Sequence, residues 1–407
     1  MKVLVVSQHY WPESFRINEV AESLQRAGCS VTVLTGQPNY PDGKVFQGYR
    51  ACSIGTEEHA GCTIHRVPLV PRGKGTAMRL IANYLSFLLT ASVLGPWSLR
   101  GQRFDVIFVY GTSPILQAIA GVVLKHLKQV PLVTWVQDLW PQSLEATGFV
   151  RNRRILKAVA VVVRWIYRRS DLLLVQSDAF IGPVKAMAGE KPVVCHPNPG
   201  ELAFSEPLGL EGKALILDAG FNVVFAGNMG TVQALDTVLN AAERLLSQPL
   251  IRFVLIGSGS RSEWLAAEVE HRRLTNVRLA GRFPGSVMPS ILSQASALLV
   301  SLIRSPIMAH TVPSKIQAYL AAGRPIVAAL DGEGARVVAA AGAGVTCPAE
   351  DPAALAAAIA DLSAMDAKAR RRMGNAGRRY YEEHFDPPML AKRLVNHFSD
   401  AINLRSL

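Results

Sequence analysis

The stretch from His310 to Val327 combines a cation with the start of a helix. Pro313 and Ser314 predict that start, with Ser314 as the cap or Pro313 in the first turn. Lys315 would then oppose the helix dipole, unless an anion lies beside the free backbone N–H groups. We therefore predict that Ser314 and Lys315 bind an anion. An ordinary helix with an exposed lysine is the alternative.

Three turns rich in glycine could let the backbone approach a phosphate. They are Phe225–Gly230, Ile256–Arg261 and Asp331–Gly334, each at the end of a predicted strand. In the second turn the guanidinium of Arg261 could bind a phosphate through two parallel hydrogen bonds. The turn is not a complete GxGxxG motif, because Ser262 stands where the third glycine would be. Each turn alone is a weak signal. Three on one domain predict a phosphate site.

Two carboxylates and one histidine are the candidates for direct chemistry. Asp138 and Glu13 follow predicted strands of the first half and could orient a hydroxyl group of a substrate. Asp138 could instead cap a helix beginning near Leu139. His310 could donate a hydrogen bond to a bound substrate, or be an exposed loop histidine. The sequence has no Asp-x-Asp motif, so we expect no metal or other cofactor.

Buried strands alternate with helices in both halves of the 407-residue chain. The first half has predicted strands at Lys2–Val6, Ser30–Thr35, Asp105–Tyr110, Pro131–Trp135 and Leu172–Val175, and the second at Asn222–Ala226, Arg252–Gly257, Val277–Ala280, Ala297–Leu302 and Pro325–Ala329. Repeated strand, helix and strand units predict an α/β fold with two doubly wound domains. We place an N-terminal domain at 1–200, a linker at 201–220 and a second domain at 221–380. A C-terminal helix at 381–407, with a break at Pro387-Pro388, should pack back toward the first domain.

Basic residues exceed acidic ones by 43 to 31, and the excess is concentrated in the first half. No Asp or Glu occurs from His59 to Phe104, and Arg151–Arg169 holds seven basic residues and no acid. Such blocks suit phosphates or an anionic membrane, with a solvated basic face as the alternative. The residues predicted to contact an acceptor or membrane are Arg16, Lys74, Arg79, Arg153 and Arg154. The five scattered cysteines and the short apolar start indicate a reduced cytoplasmic protein without a signal peptide.

The segment Leu80–Leu99 has 20 residues without a charge and is long enough to cross a bilayer. It also contains Asn83, Ser86 and Pro96, and it lies inside a predicted α/β domain, whose strands would be divided by a membrane crossing. A spanning helix, a buried helix and a helix in the lipid interface are the alternatives. We predict the interfacial position, with the neighbouring arginines at phosphate headgroups.

The order of the motifs FAGNMG, IGSGSR and PSKIQAYLAAGRPIV, followed by a glycine-rich loop, resembles the family 4 glycosyltransferases of the GT-B fold. Within that family the chain is most similar to bacterial colanic-acid glycosyltransferases and fucosaminyl transferases. The motifs Tyr10–Glu13, Pro38–Gly43, Tyr110–Pro114 and Gln137–Pro141 of the first half agree. The resemblance implies two Rossmann-like domains facing across a cleft, and a metal-independent, retaining transfer from a nucleotide sugar held mainly by the second domain.

The chain departs from the family pattern at charged positions. His310 and Ala318 stand where family members commonly have a Glu-x7-Glu pair, and Asn228 and Gln233 stand where they often have Arg and Lys. We expect three other cations to replace the missing charge, namely Lys315, Arg261 and Arg282. The predicted donor-binding residues are Gly227, Asn228, Gln233, Gly257, Arg261, Arg282, Ser314, Lys315, Gly332 and Glu333, and the predicted catalytic residues are His310, Asp138 and Glu13.

The resemblance also implies substrates. The donor would be a UDP-linked acetamido-deoxysugar such as N-acetyl-fucosamine, or GDP-fucose. The acceptor would be a polyprenyl-diphosphate-linked glycan in the synthesis of O-antigen, capsule or exopolysaccharide, at the inner face of the plasma membrane. A sugar-nucleotide epimerase of the same fold and a non-catalytic nucleotide-binding protein are the alternatives. Nucleic acid is not an expected partner, because the basic blocks lack interleaved aromatic residues.

Overall fold

A computed structural model describes residues 1–146, 150, 152–201 and 215–406. The chain divides into two compact units. Unit 1 comprises Met1–Pro197 and Pro388–Leu407, and unit 2 comprises Asn198–Pro387. Most of the predicted linker, residues 202–214, lies outside the described residues.

Unit 1 contains an eight-stranded sheet in the order β3-β4-β2-β1-β5-β6-β7-β8. Its strands are β1 (Lys2–Val6), β2 (Ser30–Gly36), β3 (Gly55–His59), β4 (Cys62–Val67), β5 (Val106–Gly111), β6 (Leu132–Val136), β7 (Leu172–Val175) and β8 (Val193–Cys195). Only the pairing of β3 with β4 is antiparallel. The strand order reverses between β1 and β5. In such sheets ligands bind in a crevice at the carboxyl ends of the strands beside the reversal, so this is where a crevice of unit 1 is expected.

Six helices lie along the first part of unit 1. They are α1 (Arg16–Arg26), α2 (Ala77–Ser98), α3 (Ala118–Lys128), α4 (Gln142–Ala146), α5 (Arg153–Arg169) and α6 (Ile181–Ala188). Strands β1, β5, β6 and β7 are buried along nearly their whole length, as expected for a parallel sheet covered on both faces.

Unit 2 contains a six-stranded parallel sheet in the order β11-β10-β9-β12-β13-β14. Its strands are β9 (Phe221–Ala226), β10 (Ile251–Ile256), β11 (Val277–Gly281), β12 (Ala297–Ser301), β13 (Ile326–Ala329) and β14 (Gly344–Cys347). Its helices are α7 (Leu235–Arg244), α8 (Ser262–His271), α9 (Met288–Ser293), α10 (Pro306–His310), α11 (Ser314–Ala322), α12 (Glu333–Ala340), α13 (Pro352–Ala364) and α14 (Ala367–His384). This is the 3-2-1-4-5-6 order of a Rossmann-like sheet, so the predicted α/β class with two doubly wound domains is confirmed.

The last helix, α15 (Pro387–Ser406), belongs to the core of unit 1. Leu394, Phe398 and Ala401 are buried at helical spacing, and the Phe398 ring meets Phe108 edge-on with centroids 5.2 Å apart. The break between the last two helices precedes the two prolines, since α14 ends at His384. Pro387 begins α15, a position that proline favours because its missing N–H would have no helical partner.

Helix α2 has two contrasting faces. Asn83, Phe87, Ala91 and Gly95 are buried at intervals of four residues. The opposite face exposes a stripe of large apolar side chains, made of Met78, Ile81, Leu85, Leu89, Val93 and Trp97. Among the described residues, α2 is the one helix long and apolar enough to cross a membrane. Because its inner face packs on β2, β4 and α3, only the outer stripe is free to meet lipid.

Candidate functional site

Lys315 lies at the start of α11, in a site made of uncharged groups. Pro313 is the N-cap residue and gives no side-chain cap. The Nζ atom of Lys315 donates to Oε1 of Gln233 at 2.5 Å and lies 3.7 Å from the centroid of the Phe225 ring. Burial lowers the pKa of Lys315 to about 7. A largely buried amine that rests on an aromatic ring and an amide is poised to accept an anionic ligand.

The turns after β9 and β10 pack on each other directly against Lys315. A Cβ atom on Gly227 would lie 2.7 Å from Cε of Lys315, and one on Gly257 would lie 1.9 Å from the carbonyl oxygen of Gly227. The amide of Gly227 donates to Ile256, and that of Gly257 donates to Gly281. These two glycines therefore permit close packing rather than offering their own amides to a phosphate. This corrects the prediction from the sequence that Gly227 and Gly257 themselves bind the phosphate.

The other predicted cations of unit 2 lie at the same carboxyl edge of the sheet. Arg261 pairs with Asp236 at 3.1 Å, and its guanidinium lies 3.6 Å from the centroid of the Trp264 ring. The backbone amide of Arg261 donates to Met229, next to Asn228, which ties this residue to the turn after β9. Arg282 is exposed immediately after β11. A ligand that contacts the Arg261 guanidinium would have to compete with Asp236 for it.

The loops around His310 and Glu333 meet at the ends of β12 and β13. Gly332 has φ 78°, and a Cβ atom there would lie 2.0 Å from the carbonyl oxygen of Ala309. His310 donates from Nδ1 to the carbonyl oxygen of Pro306 at 2.5 Å. Glu333, the first residue of α12, pairs with Arg336 at 2.7 Å. The structure thus brings Gly227, Gln233, Gly257 and Lys315 into contact and places the other donor-site candidates around the same edge.

In unit 1, Asp138 joins the ends of two neighbouring strands. Its Oδ2 atom accepts from the backbone amide of Ser113 at 3.0 Å, which links the end of β6 to that of β5. This contact replaces the helix cap considered from the sequence. Burial raises the pKa of Asp138. Burial raises the pKa of Tyr110, near the carboxyl end of β5, and the charges of Arg16 and Asp138 act on the same hydroxyl in opposite directions.

Glu13 lies in the loop after β1 and has both carboxylate oxygens engaged. Its Oε1 atom accepts from the amides of Asn39 and Tyr40 at 2.7 and 2.6 Å, and Oε2 lies 2.9 Å from Nδ1 of His9. We expected Glu13 to orient a substrate hydroxyl itself, but these bonds direct it to His9 instead. His9 was not among the residues predicted from the sequence. The sequence feature that could have indicated His9 is a histidine four residues before a glutamate, in a loop that follows a predicted strand.

A network of buried amides joins helix α2 to the carboxyl end of β1. Gln8 donates from Nε2 to Oδ1 of Asn83 at 2.7 Å, and its backbone amide donates to Gln117 at 2.6 Å. Asn83 also donates to the carbonyl oxygen of Val70, and Asn39 accepts from the amide of Arg72. The exposed helix and the crevice at β1 therefore share side-chain contacts.

The predicted acceptor or membrane cations of unit 1 lie at or just before the starts of three helices, and Arg16 is the first residue of α1. Lys74 and Arg79 are exposed at the start of α2, and Arg153 and Arg154 are exposed at the start of α5. The guanidinium of Arg100 lies 5.0 Å from the Trp97 ring, and that of Arg169 lies 5.5 Å from the Trp165 ring. Exposed tryptophans beside arginines are typical of side chains at a membrane interface.

Residues that could bind a metal are dispersed. Within the ranges that the structure describes, no three or more His, Cys, Asp or Glu side chains come together as a possible metal site. The five cysteines are free thiols. Neither the described turns of unit 2 nor the described crevice of unit 1 is built around a cluster of carboxylates.

Two family profiles match this chain. The "Glycosyl transferase 4-like domain" matches residues 14–199, and "Glycosyl transferases group 1" matches residues 220–365. With the two Rossmann-like units and the motif order, these matches place the chain among the family 4 glycosyltransferases of the GT-B fold. It is therefore a glycosyltransferase.

The chain is similar to glycosyltransferases of other bacteria. The chain is 29% identical over 342 residues to "Putative colanic acid biosynthesis glycosyl transferase WcaI" of Escherichia coli, covering 79% of this chain and 82% of that protein. It is 26% identical to "Probable glycosyltransferase WbjE" of Pseudomonas aeruginosa, covering 66% of this chain and 68% of that protein. The crystal structure of Anabaena HepE in complex with UDP and glucose superposes with a TM-score of 0.67 at 14% identity, over 98% of this chain and all of that one. The last likeness shows the fold alone.

Proposed function

We propose that this glycosyltransferase moves a sugar, with retention of configuration, from a nucleotide-diphosphate donor to a polyprenyl-diphosphate-linked glycan. The product is a bacterial surface polysaccharide, such as an O-antigen, capsule or exopolysaccharide. The observation that carries the proposal is Lys315, held at the start of α11 against the glycine turns after β9 and β10.

The chemistry of the donor explains this arrangement. Cleavage of the bond between sugar and diphosphate leaves two negative charges on the departing phosphate. A cation and backbone donors that are already in position stabilise this charge most strongly where water is excluded. Lys315 supplies the cation and the start of α11 supplies amides. Arg261 and Arg282 follow β10 and β11 of the same sheet and would add charge when a donor binds.

The donor's identity is inferred from the relatives. The resemblance to fucosaminyl transferases favours a UDP-linked acetamido-deoxysugar such as N-acetyl-fucosamine, with GDP-fucose as the other candidate, and HepE was solved with UDP and glucose. A thermal-shift screen of nucleotides and nucleotide sugars tests this directly, because a ligand that binds only the folded state raises the melting temperature.

Transfer with retention does not require a protein base or a metal. The leaving phosphate itself can take the proton of the attacking hydroxyl, while Lys315 and the helix start hold its charge. His310 lies at the end of α10, with Nδ1 hydrogen-bonded to the carbonyl oxygen of Pro306. It would donate from Nε2 to the transferred sugar as the imidazolium, in which both ring nitrogens carry hydrogen. Asp138, at the crevice of unit 1, would orient the acceptor.

The outer stripe of α2 favours a membrane-bound acceptor. Its apolar side chains have basic residues at both ends, with Arg79 in the first turn and Arg100 just after the helix. A helix with this distribution lies in the lipid interface and attracts anionic headgroups. We propose that the enzyme binds peripherally to the inner face of the plasma membrane, with α2 in contact with the lipid that carries the acceptor.

Replacing Lys315 tests the donor site. Lys315→Ala should weaken the binding of UDP or GDP about 10- to 100-fold, the usual range for losing one hydrogen bond to a charged group. Isothermal titration calorimetry measures the affinity. Lys368→Ala is the matched control, because Lys368 is also the second residue of a helix in unit 2 but is exposed and follows the capping residue Asp366. Equal affinities for both variants would remove the assignment.

A further inference from the structure

The loop after β1 holds His9 in one orientation. Glu13 is fixed by the amides of Asn39 and Tyr40, and its second oxygen lies 2.9 Å from Nδ1 of His9. A carboxylate accepts hydrogen bonds, so Nδ1 carries the hydrogen in this pair. In the neutral imidazole the free lone pair then lies on Nε2. Glu13 therefore selects the tautomer of His9.

The Nε2 atom of His9 is buried and has no hydrogen-bond partner among the described residues. The side chain of His9 is 5% exposed. Buried polar atoms are nearly always hydrogen-bonded, and an acceptor left unpaired in the interior destabilises the fold. A ligand that donates a hydrogen bond to Nε2 would supply the missing partner.

His9 lies where a ligand of unit 1 is expected. It follows β1, which is bordered by β2 and β5 at the reversal of the strand order. Gln8, its neighbour, is bonded to Asn83 of α2, the helix that we place at the membrane. A glycan attached to a membrane lipid would therefore reach the crevice from the side on which His9 lies.

Two aromatic rings pack on His9, and one of them is open to solvent. Phe15 stacks on the imidazole with centroids 4.9 Å apart, and Tyr40 meets it at 5.7 Å with a 57° tilt. The side chain of Tyr40 is 37% exposed, and the guanidinium of Arg72 lies 5.1 Å from its ring. Tyr40 is thus a neighbour of His9 that solvent can reach, and its ring could pack on the apolar face of a sugar.

We propose that Nε2 of His9 accepts a hydrogen bond from a hydroxyl group of the acceptor sugar, and that Glu13 is the positioning residue that fixes the tautomer. This inference rests on the proposed transfer to a lipid-linked glycan. It assigns the acceptor site to the loop after β1, whereas Lys315 belongs to the donor site of the other unit.

Kinetics on matched histidine variants test the assignment. The acceptor probe is N-acetylglucosamine linked through diphosphate to a phenoxyundecyl chain, and UDP affinity is measured separately. His9→Gln should lower kcat/KM for the acceptor about 2- to 10-fold, the range for losing a hydrogen bond between neutral groups, with UDP affinity unchanged. His196→Gln is the control, since His196 is equally buried in unit 1 and has an unpartnered ring nitrogen, but follows β8. It should transfer normally.

The outcomes separate the two proposals. Failure of the unaltered protein to bind either UDP or GDP would contradict the donor site and the proposed function. Normal UDP binding with equal transfer by the His9 and His196 variants would overturn the acceptor assignment alone.

A second variant decides the question if His9→Gln does not fold. Glu13→Gln keeps an oxygen for the amides of Asn39 and Tyr40 but presents an NH2 group to Nδ1 of His9. This change should move the ring hydrogen to Nε2, so that the histidine can no longer accept a bond from a hydroxyl. Nitrogen-15 NMR reads the tautomer. An inverted tautomer with undiminished transfer would refute the proposal.

Discussion

At the scale of single residues, the site depends on how Lys315 is desolvated. The amine contacts an amide oxygen and an aromatic ring, and burial lowers its pKa to about 7. Above pH 7 it is therefore mostly neutral in the free protein. A diphosphate bound at Lys315 would favour the charged form and raise this pKa again, so on the proposed function donor binding and protonation are linked.

The linkage predicts a proton taken up on binding. At about pH 8.5 Lys315 is neutral in most free molecules. Each UDP molecule that binds should therefore bring about the uptake of close to one proton. For the same reason the affinity for UDP should fall as the pH rises through 7 and beyond. The phosphate itself, with a pKa of about 6, is already ionised there. Calorimetry in two buffers of different ionisation enthalpy measures the uptake. Lys315→Arg should abolish it, and zero uptake by the unaltered protein would contradict this account.

Gly227 provides a steric test of the same site. Its φ is 131°, and a Cβ atom there would lie only 2.7 Å from Cε of Lys315, so Gly227→Ala must displace the lysine or the turn. We expect UDP affinity to fall at least about tenfold, and the melting temperature to drop as well. Gly285→Ala, in unit 2 with open space around the added methyl group, is the control and should change neither. Thermal unfolding and calorimetry give both values.

The sequence was sufficient to propose Lys315 as a candidate binding residue but not His9, and the difference has a physical reason. Lys315 stands at a local signal, a proline-serine helix start, that can be read within a few residues. The importance of His9 comes from Glu13, which is itself fixed by amides more than 25 residues away along the chain. Such a pairing depends on which loops the sheet brings together, and a single sequence does not reveal it.

At the scale of elements, α2 is unusual in exposing its apolar stripe. Side chains buried on the other face anchor it to the sheet, so the stripe can bind lipid without unfolding unit 1. We predict that the protein sediments with anionic liposomes at low salt and less so at high salt. Leu89→Glu with Val93→Glu should abolish sedimentation.

The control for this prediction lies in the other unit. Leu250 is 71% exposed and lies in unit 2, so Leu250→Glu makes a comparable change away from α2 and should leave sedimentation unaltered. Retention of liposome binding by the α2 double variant, or loss with Leu250→Glu, would contradict interfacial docking of this helix.

The strands that were not predicted from the sequence are those without a buried apolar pattern. Strand β3 reads GTEEH and is largely exposed at the edge of its sheet, and β8 and β14 are short and only partly buried. The central strands were predicted because parallel strands covered on both faces appear as continuous apolar runs. Edge strands depend instead on pairing with a neighbour that the sequence pattern does not identify.

At the scale of the whole molecule, the two units divide the predicted chemistry. Unit 2 holds Lys315 and the glycine turns, whereas unit 1 holds α2, Asp138 and the His9–Glu13 pair. The doubly wound character of both sheets could be predicted from alternating apolar runs, because it follows from repeated strand, helix and strand units. The last helix returns to unit 1, so the chain crosses between the units twice.

The division of labour leads to a prediction about metals. If Lys315, Arg261 and Arg282 together with the start of α11 hold the charge of the leaving diphosphate, then transfer needs no divalent cation. Sugar transfer to the lipid-linked probe, measured by release of the nucleoside diphosphate, should persist at full rate in excess EDTA. Added Mg²⁺ or Mn²⁺ should not accelerate it. Activity that disappears with EDTA and returns with Mg²⁺ would mean that a metal, rather than these cations, stabilises the leaving group. In that case Lys315→Ala should leave the rate of the metal-loaded enzyme nearly unchanged.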